Sequence, residues 1–387
     1  MAPDSLYGMD NLPYGVFSTG GDEARVGVRL GDVVVDVAAV LGEPRFVTRS
    51  LNAFMAEGPD AWGRVREALH TVLRGDVAAE AQHAVSDVTM HLPIEVADYV
   101  DFYASENHAR NLGRMFRPDS EPLLPNWKHL PVGYHGRAGS VVVSGEQIVR
   151  PEGQHIAPDQ EGPVFGPSRK LDIEVELGFV VGVGCDRGAT IGADDFERHV
   201  FGAVLLNDWS ARDIQAWEYV PLGPNLGKSF ATSIGAWVVP LAALQGARVS
   251  VPRQEPDPLP HLRGGERWGL DVEFSVEWNG EIVSRPPYRD MYWSPAQMLA
   301  HQSSNGSGAR TGDLFASGTV SGADSRQVGS FIELTRNGSH PVVVAGQERS
   351  FLLDGDTVTI SASAPGVAGA QIGFGEVTGT IRSAVRR

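Results

Sequence analysis

Between Leu171 and Leu177 apolar and acidic residues alternate strictly. Leu171, Ile173, Val175 and Leu177 fall on one side, and Asp172, Glu174 and Glu176 on the other. A period of two predicts a strand with one buried face and one free face. Carboxylates on the free face would sit about 7 Å from their strand neighbours. Shorter strands are expected at 15–17, 25–30 and 33–37, with hairpin turns at Gly20-Gly21-Asp22 and Gly31-Asp32. Others are expected at 140–144, 270–278, 328–334, 342–344, 357–360 and 375–381. Residues 50–85 change rhythm: Leu51, Phe54, Met55, Trp62, Val65, Leu69, Val72 and Leu73 recur near the helical spacing. A short helix is predicted over 105–113, capped by Ser105 and stopped by Gly113, with further helices at 194–199, 210–219 and 295–303. Residues 117–170 are rich in Pro and Gly. A polar stretch at 78–87 runs into His91-Leu92-Pro93 and marks a boundary. The expected fold is mainly β with some α: a small β barrel with helical decoration over 1–93, then a second, largely β domain over 94–387.

Composition narrows the partners. The chain of 387 residues carries 48 acidic against 32 basic residues, a net charge of −16. That argues against nucleic acid or an anionic membrane as partner. The single cysteine, Cys185, excludes an intrachain disulfide and a Cys-based zinc site, fits a reducing compartment, and reads as a small buried hydrophobe. Met1-Ala2-Pro3-Asp4 does not open like a secretory signal, and nowhere do eighteen apolar residues run together. A soluble cytoplasmic protein is expected.

Two more acidic segments border apolar runs. One is Asn207–Asp213, after Val204-Leu205-Leu206; the other is Asp98–Tyr103. Three segments delivering carboxylates in this way can close on one hard cation, for which oxygen ligands favour calcium or magnesium over zinc. On a helix over 208–219, capped by Asp208 or Ser210, Arg212, Gln215 and Tyr219 share a face and form a donor row for a carboxylate or oxyanion. Gly227-Lys228-Ser229 resembles a phosphate loop only superficially, because Leu222 stands where that motif needs glycine. Lys228 is better read as a cation near the acidic cluster. His108, seven residues after Asp101, is placed where a base would be needed. His129 and His135 read as structural. Neither a His-Glu-x-x-His pair nor a Gly-x-Ser-x-Gly elbow is present.

The segments 98–113, Leu124-Pro125-Asn126-Trp127, 130–137, 171–176, 207–215, 217–224, 227–230, 316–319, 351–356 and 373–375 together resemble the fumarylacetoacetase family, and the long strings with Trp and Pro among them make the resemblance specific. The resemblance spans about 98–378 and is weaker before it, where 12–17 is its best part. It implies hydrolysis of a carbon–carbon bond in a 1,3-diketo acid to fumarate and acetoacetate, the last step of tyrosine and phenylalanine breakdown. It also implies an SH3-like N-terminal barrel, a C-terminal mixed β-roll, a homodimer and a bound divalent metal, Mg2+ and/or Ca2+. By the same resemblance Asp101, Glu174, Glu176 and Asp208 match the metal ligands, and Lys228 and Thr232 line a magnesium-associated part of the site. Tyr103, Arg117, Gln215, Tyr219 and Thr319 match substrate contacts. His108 matches the base and Glu333 its orienting carboxylate, while Arg212, Gln215 and Lys228 match oxyanion donors. The segment 241–290 departs from the family pattern but contributes none of these residues. The alternative is an acylpyruvase or another diketo- or keto-acid enzyme of the same superfamily.

Overall fold

The computed structural model describes residues 6–157, 161–264 and 267–385. Met1–Asp4, read above for a leader, lie outside the described residues. Thirteen strands form one sheet. In chain order they are β1 Tyr14–Ser18, β2 Arg25–Leu30, β3 Val33–Asp36, β4 Gln82–Ala84, β5 Thr89–His91, β6 Tyr99–Phe102 and β7 Gly133–His135. Then come β8 Val141–Val143, β9 Val175–Val181, β10 Val200–Asp208, β11 Thr232–Ile234, β12 Trp237–Pro240 and β13 Leu314–Ala316. The spatial order is β4-β3-β2-β1-β12-β10-β9-β13-β6-β7; β5 also pairs with β1, and β11 bridges β10 and β8. A second, five-stranded sheet is built around the long hairpin Thr357–Pro365 and Gln371–Arg382. The fold is mainly β, with an N-terminal β unit followed by a mixed sheet. Among the described residues no pairing closes the N-terminal strands into a barrel.

β9 and β10 are buried along their whole length. Their nearly unbroken apolar runs suit strands covered on both faces. Ala203 and Leu205 of β10 enter the core that holds Phe179 and Trp209. Val204 and Leu206 enter the core built with Tyr14, Phe54 and Leu69 from the N-terminal unit. That unit therefore packs against the back of the central strands. It is also hydrogen-bonded to them: β1 pairs with β12, Tyr14 opposite Val238 and Gly15 opposite Trp237. A Cβ at Gly15 would lie 2.8 Å from the Ala236 carbonyl oxygen, so the crossing needs glycine.

The helices include α1 Pro59–Val72, α2 Glu106–Phe116, α3 Arg212–Glu218, α4 Pro295–Ser303 and α5 Phe331–Leu334. α4 has the predicted limits, and Ser294 and Gln297 close a capping box at its start. Ser105 caps α2 as expected, its hydroxyl accepting the His108 N–H. Gly113 does not stop that helix; it lies inside, where a Cβ would meet the Pro122 carbonyl oxygen at 2.0 Å. The helix expected over 210–219 begins only at Arg212. Asp208 still belongs to β10, Ser210-Ala211 pairs with Leu171-Asp172, and neither Asp208 nor Ser210 caps α3.

One strand expectation fails and another holds only in part. Residues 328–334 hold α5 rather than a strand, because the N–H groups of Phe331 and Ile332 are taken by the distant Asp172 carboxylate. Residues 171–177 break between Asp172 and Val175, and their acidic side is not free: Asp172, Glu174 and Glu176 are all buried. Asp172 and Glu174 are met by ion pairs inside the protein instead of by water, whereas Glu176 accepts from the Gly318 N–H and makes no ion pair among the described residues.

Candidate active site

Strand register gathers the carboxylates at one end of the large sheet. Asp101 pairs with Ala316, which pairs with Gly178, two residues beyond Glu176; Glu176 in turn lies opposite Leu206 near the end of β10. Glu174 immediately precedes β9. One ligand oxygen from each of Asp101, Glu174, Glu176 and Asp208 lies within 4.8 Å of the others, and all four residues are buried.

Two cations answer part of this charge. Lys228 Nζ lies 2.6 Å from Glu174 Oε2 and 2.7 Å from Asp208 Oδ2. Burial opposes its ammonium, but Asp208 and Glu174 hold Lys228 above its usual range. Arg212 donates from Nη1 to Glu174 Oε1 at 2.7 Å and from Nε to Asp172 Oδ2 at 2.8 Å. Burial would raise the Glu174 carboxyl, yet Lys228 and Arg212 keep it well below the ordinary range. Asp101 and Glu176 lack such help. Burial and the neighbouring carboxylates push both well above it. Asp101 Oδ1 and Glu176 Oε1 are buried with no protein partner. Orphaned hard oxygens beside two already paired carboxylates fit a divalent cation. Thr232, opposite Asp208 in register, donates to Asp208 Oδ1 at 2.7 Å, and Tyr134 donates to Oδ2 at 2.8 Å.

His108 projects from the first turn of α2. Its Nδ1 lies 2.7 Å from Glu333 Oε2, and both side chains are 1% exposed. Glu333 also accepts from Ser321 at 2.9 Å, Ser330 at 2.7 Å and Asn111 at 2.8 Å. Burial works against its charge, but His108 and these donors outweigh it and hold Glu333 below the usual carboxylate range. An ionised carboxylate only accepts, so Nδ1 carries a proton, and in the neutral imidazole Nε2 is the nitrogen with a free lone pair. The Tyr103 ring meets the imidazole edge-on at 5.3 Å.

A cavity of about 330 Å³ brings these parts together. Asp101, Tyr103, His108, Arg117, Glu174, Arg212, Gln215, Tyr219 and Lys228 all line it. Gln215 is one turn beyond Arg212, whose Nη1 it receives at 3.2 Å. Arg117, just past α2, donates to Pro122 O while its buried Nε has no partner. Thr319 is not on this wall; it is buried, with Oγ1 unpartnered. Glu176 and Glu333 also lie behind the wall, and Asp208 and Thr232 line a neighbouring cavity with Lys228 and Tyr134. Sequence reasoning missed Tyr134 and the three donors around Glu333. Asn111 was within reach, being three residues after His108 on one helix face; Ser321 and Ser330 carry no such signal.

Two family models match the chain: "Fumarylacetoacetase N-terminal" over residues 10–93 and "Fumarylacetoacetate (FAA) hydrolase C-terminal" over 98–382. The fumarylacetoacetase of Rattus norvegicus is 45% identical, covering 100% of this chain and 98% of its own. The chain belongs to the fumarylacetoacetase family. Family membership extends across kingdoms: the Oryza sativa fumarylacetoacetase is 41% identical, covering 100% of this chain and 96% of its own. Among solved structures, a fumarylacetoacetate hydrolase from Exiguobacterium antarcticum superposes with a TM-score of 0.60 at 18% identity, covering 96% of this chain and 99% of that one. A maleylpyruvate hydrolase from Sphingobium sp. SYK-6, in complex with manganese(II) and pyruvate, gives 0.56 at 15% identity, covering 97% and 100%. These two share the fold.

Proposed function

We propose that this protein hydrolyses the carbon–carbon bond of 4-fumarylacetoacetate to fumarate and acetoacetate, completing tyrosine and phenylalanine breakdown. The observation that carries this reading is His108, backed by the buried Glu333, lining the same cavity as Asp101 and Glu174 of the four-carboxylate cluster. The full-length relatives are named fumarylacetoacetases, which does not favour the acylpyruvase alternative.

His108 Nε2 takes a proton from water, and the resulting hydroxide adds to the carbonyl carbon. Glu333 offsets the imidazolium charge that this creates. Arg212, Gln215 and Lys228 hold the developing oxyanion. Two Lys228 protons are committed to Glu174 and Asp208, which leaves a third. Arg212 keeps Nη2, whose contact to Ile173 O is long at 3.5 Å. As the carbon–carbon bond breaks, its electron pair passes to the acetoacetate fragment as an enolate, and His108 returns the proton to carbon. Arg117, Tyr103, Gln215 and Tyr219 hold the substrate's carboxylates from the cavity wall, on which Thr319 does not stand. Mg2+ or Ca2+, bound by Asp101, Glu174, Glu176 and Asp208, would supply Lewis-acid polarisation of the diketo oxygens. Lys228 and Thr232 keep Asp208 in place for it.

We read the chain as two units, 1–93 and 94–387, the first SH3-like, acting as a homodimer in the cytoplasm. Separate family models for the two parts support the division. Among the described residues no helix is long and apolar enough to cross a membrane. Purified protein should consume fumarylacetoacetate in an absorbance assay, lose activity on chelation and regain it with Mg2+ or Ca2+. Full activity after exhaustive chelation, with no metal found by elemental analysis, would overturn the metal's role.

A further inference from the structure

Asp172 stands in the alternating acidic run, yet it is not in the four-carboxylate cluster. It is fully buried and surrounded only by donors. Oδ1 accepts from the Ile173 and Phe331 N–H groups at 2.8 and 2.7 Å; Oδ2 accepts from Arg212 Nε at 2.8 Å and Ile332 N–H at 3.0 Å. Phe331 and Ile332 begin α5, the turn that carries Glu333. Ser330 is the residue type that normally caps such a turn. Its hydroxyl instead donates to Glu333 Oε2, so it makes no cap. Without Asp172 those two N–H groups would be buried and unmatched.

We infer that Asp172 is a positioning residue that fixes the spacing between the His108–Glu333 base and the Arg212 oxyanion donor. The inference rests on the function proposed above. One carboxylate grips the guanidinium with one oxygen, and with both oxygens it grips the backbone that aims Glu333 at His108. The link runs from Arg212 through Asp172 to the amides of α5, then through Glu333 to the imidazole. Catalysis needs both ends at once, and a displacement of about 1 Å can cost on the order of 100-fold in rate.

Asp172→Asn tests it. An amide has one accepting oxygen, and whichever way it turns, its NH2 faces two donors. In the metal-loaded protein kcat should fall about 10- to 100-fold with KM within about threefold and metal content unchanged. The downfield proton resonance of the His108–Glu333 hydrogen bond should move or broaden, a change that a purely stabilising residue would not produce. In a Glu333→Gln background the same substitution should cost less than in the wild type, because part of its effect is already gone. A folded variant with wild-type kcat and an unmoved resonance would overturn the inference, as would losses that multiply in full. Should Asp172→Asn fail to fold, Asp172→Glu keeps the charge but displaces it by one methylene, and the same loss of kcat is expected. Wild-type turnover in that variant, or failure of both to fold, would reduce Asp172 to a fold-maintaining role and sink the proposal. Absence of turnover in the wild type would count against the functional reading instead, and the resonance would still test the link.

Discussion

Replacing Glu333 by Gln isolates the charge behind the base. Four groups donate to this carboxylate: His108, Ser321 and Ser330 on Oε2, and Asn111 on Oε1. A glutamine must point its NH2 at one end. At the Oε2 end it would meet three donors. At the Oε1 end it meets only Asn111, whose own amide can turn to present oxygen. Glutamine should therefore keep its carbonyl on His108 Nδ1–H and preserve the tautomer. What is lost is the charge on the acceptor. A hydrogen bond to a charged group contributes about 1.5–3 kcal/mol, against about 0.5–1.5 for a neutral one. The difference, about 1–2 kcal/mol at the imidazolium-forming step, corresponds to roughly 5- to 30-fold in kcat. Had the amide faced the imidazole, the wrong tautomer would cost nearer 10⁴-fold, as with a serine-protease aspartate. Steady-state assays of Glu333→Gln, His108→Ala and the double variant decide it. His108→Ala should lose about two to four orders of magnitude while retaining metal. The double variant should lose little more, since the two residues act as one unit. Unchanged kcat in Glu333→Gln, or losses that simply multiply, would refute the reasoning.

Two further outcomes are expected. Asp208→Asn should weaken metal binding in a calorimetric titration and also lower the thermal midpoint, because Lys228, Thr232 and Tyr134 all bond to this carboxylate; an unchanged affinity would remove Asp208 from the metal shell. Glu333 binds its proton less readily when folded than unfolded, so its contribution to stability is full above about pH 4.3 and is lost as pH falls through its lower folded value. The stability advantage of wild type over Glu333→Gln in urea should therefore shrink on acidification, and an advantage that grew would contradict the direction of the shift.

The four carboxylates were legible because acidic residues at the ends of apolar runs are costly unless something answers them, and three such runs occur. Their shared position was not legible from periodicity alone. It follows from β6 pairing with β13 and β13 with β9, contacts between residues far apart in the chain. The alternation at 171–177 misled about water. Its acidic side is as buried as its apolar side, since Arg212 and Lys228 come from elsewhere to meet Glu174. α5 was hidden for the same reason. Val328, Phe331 and Ile332 are residue types that favour strands, and the carboxylate that makes 331–334 a turn of helix lies at Asp172. Gly113 shows the limit of local punctuation. The glycine there makes room for the Pro122 backbone and leaves the helix running to Phe116.

The pairing of β1 with β12 has a consequence for how the chain is made. During synthesis Tyr14 leaves the ribosome long before Val238, its ladder partner. Through that interval one edge of β1 has open hydrogen-bonding groups, and Tyr14 and Phe54 lack the β10 residues that cover them in the finished protein. The N-terminal unit must therefore wait, part-built, for the central strands. Nascent chains halted before residue 237 should be bound by chaperones and cleaved by proteases at sites that the complete protein shields.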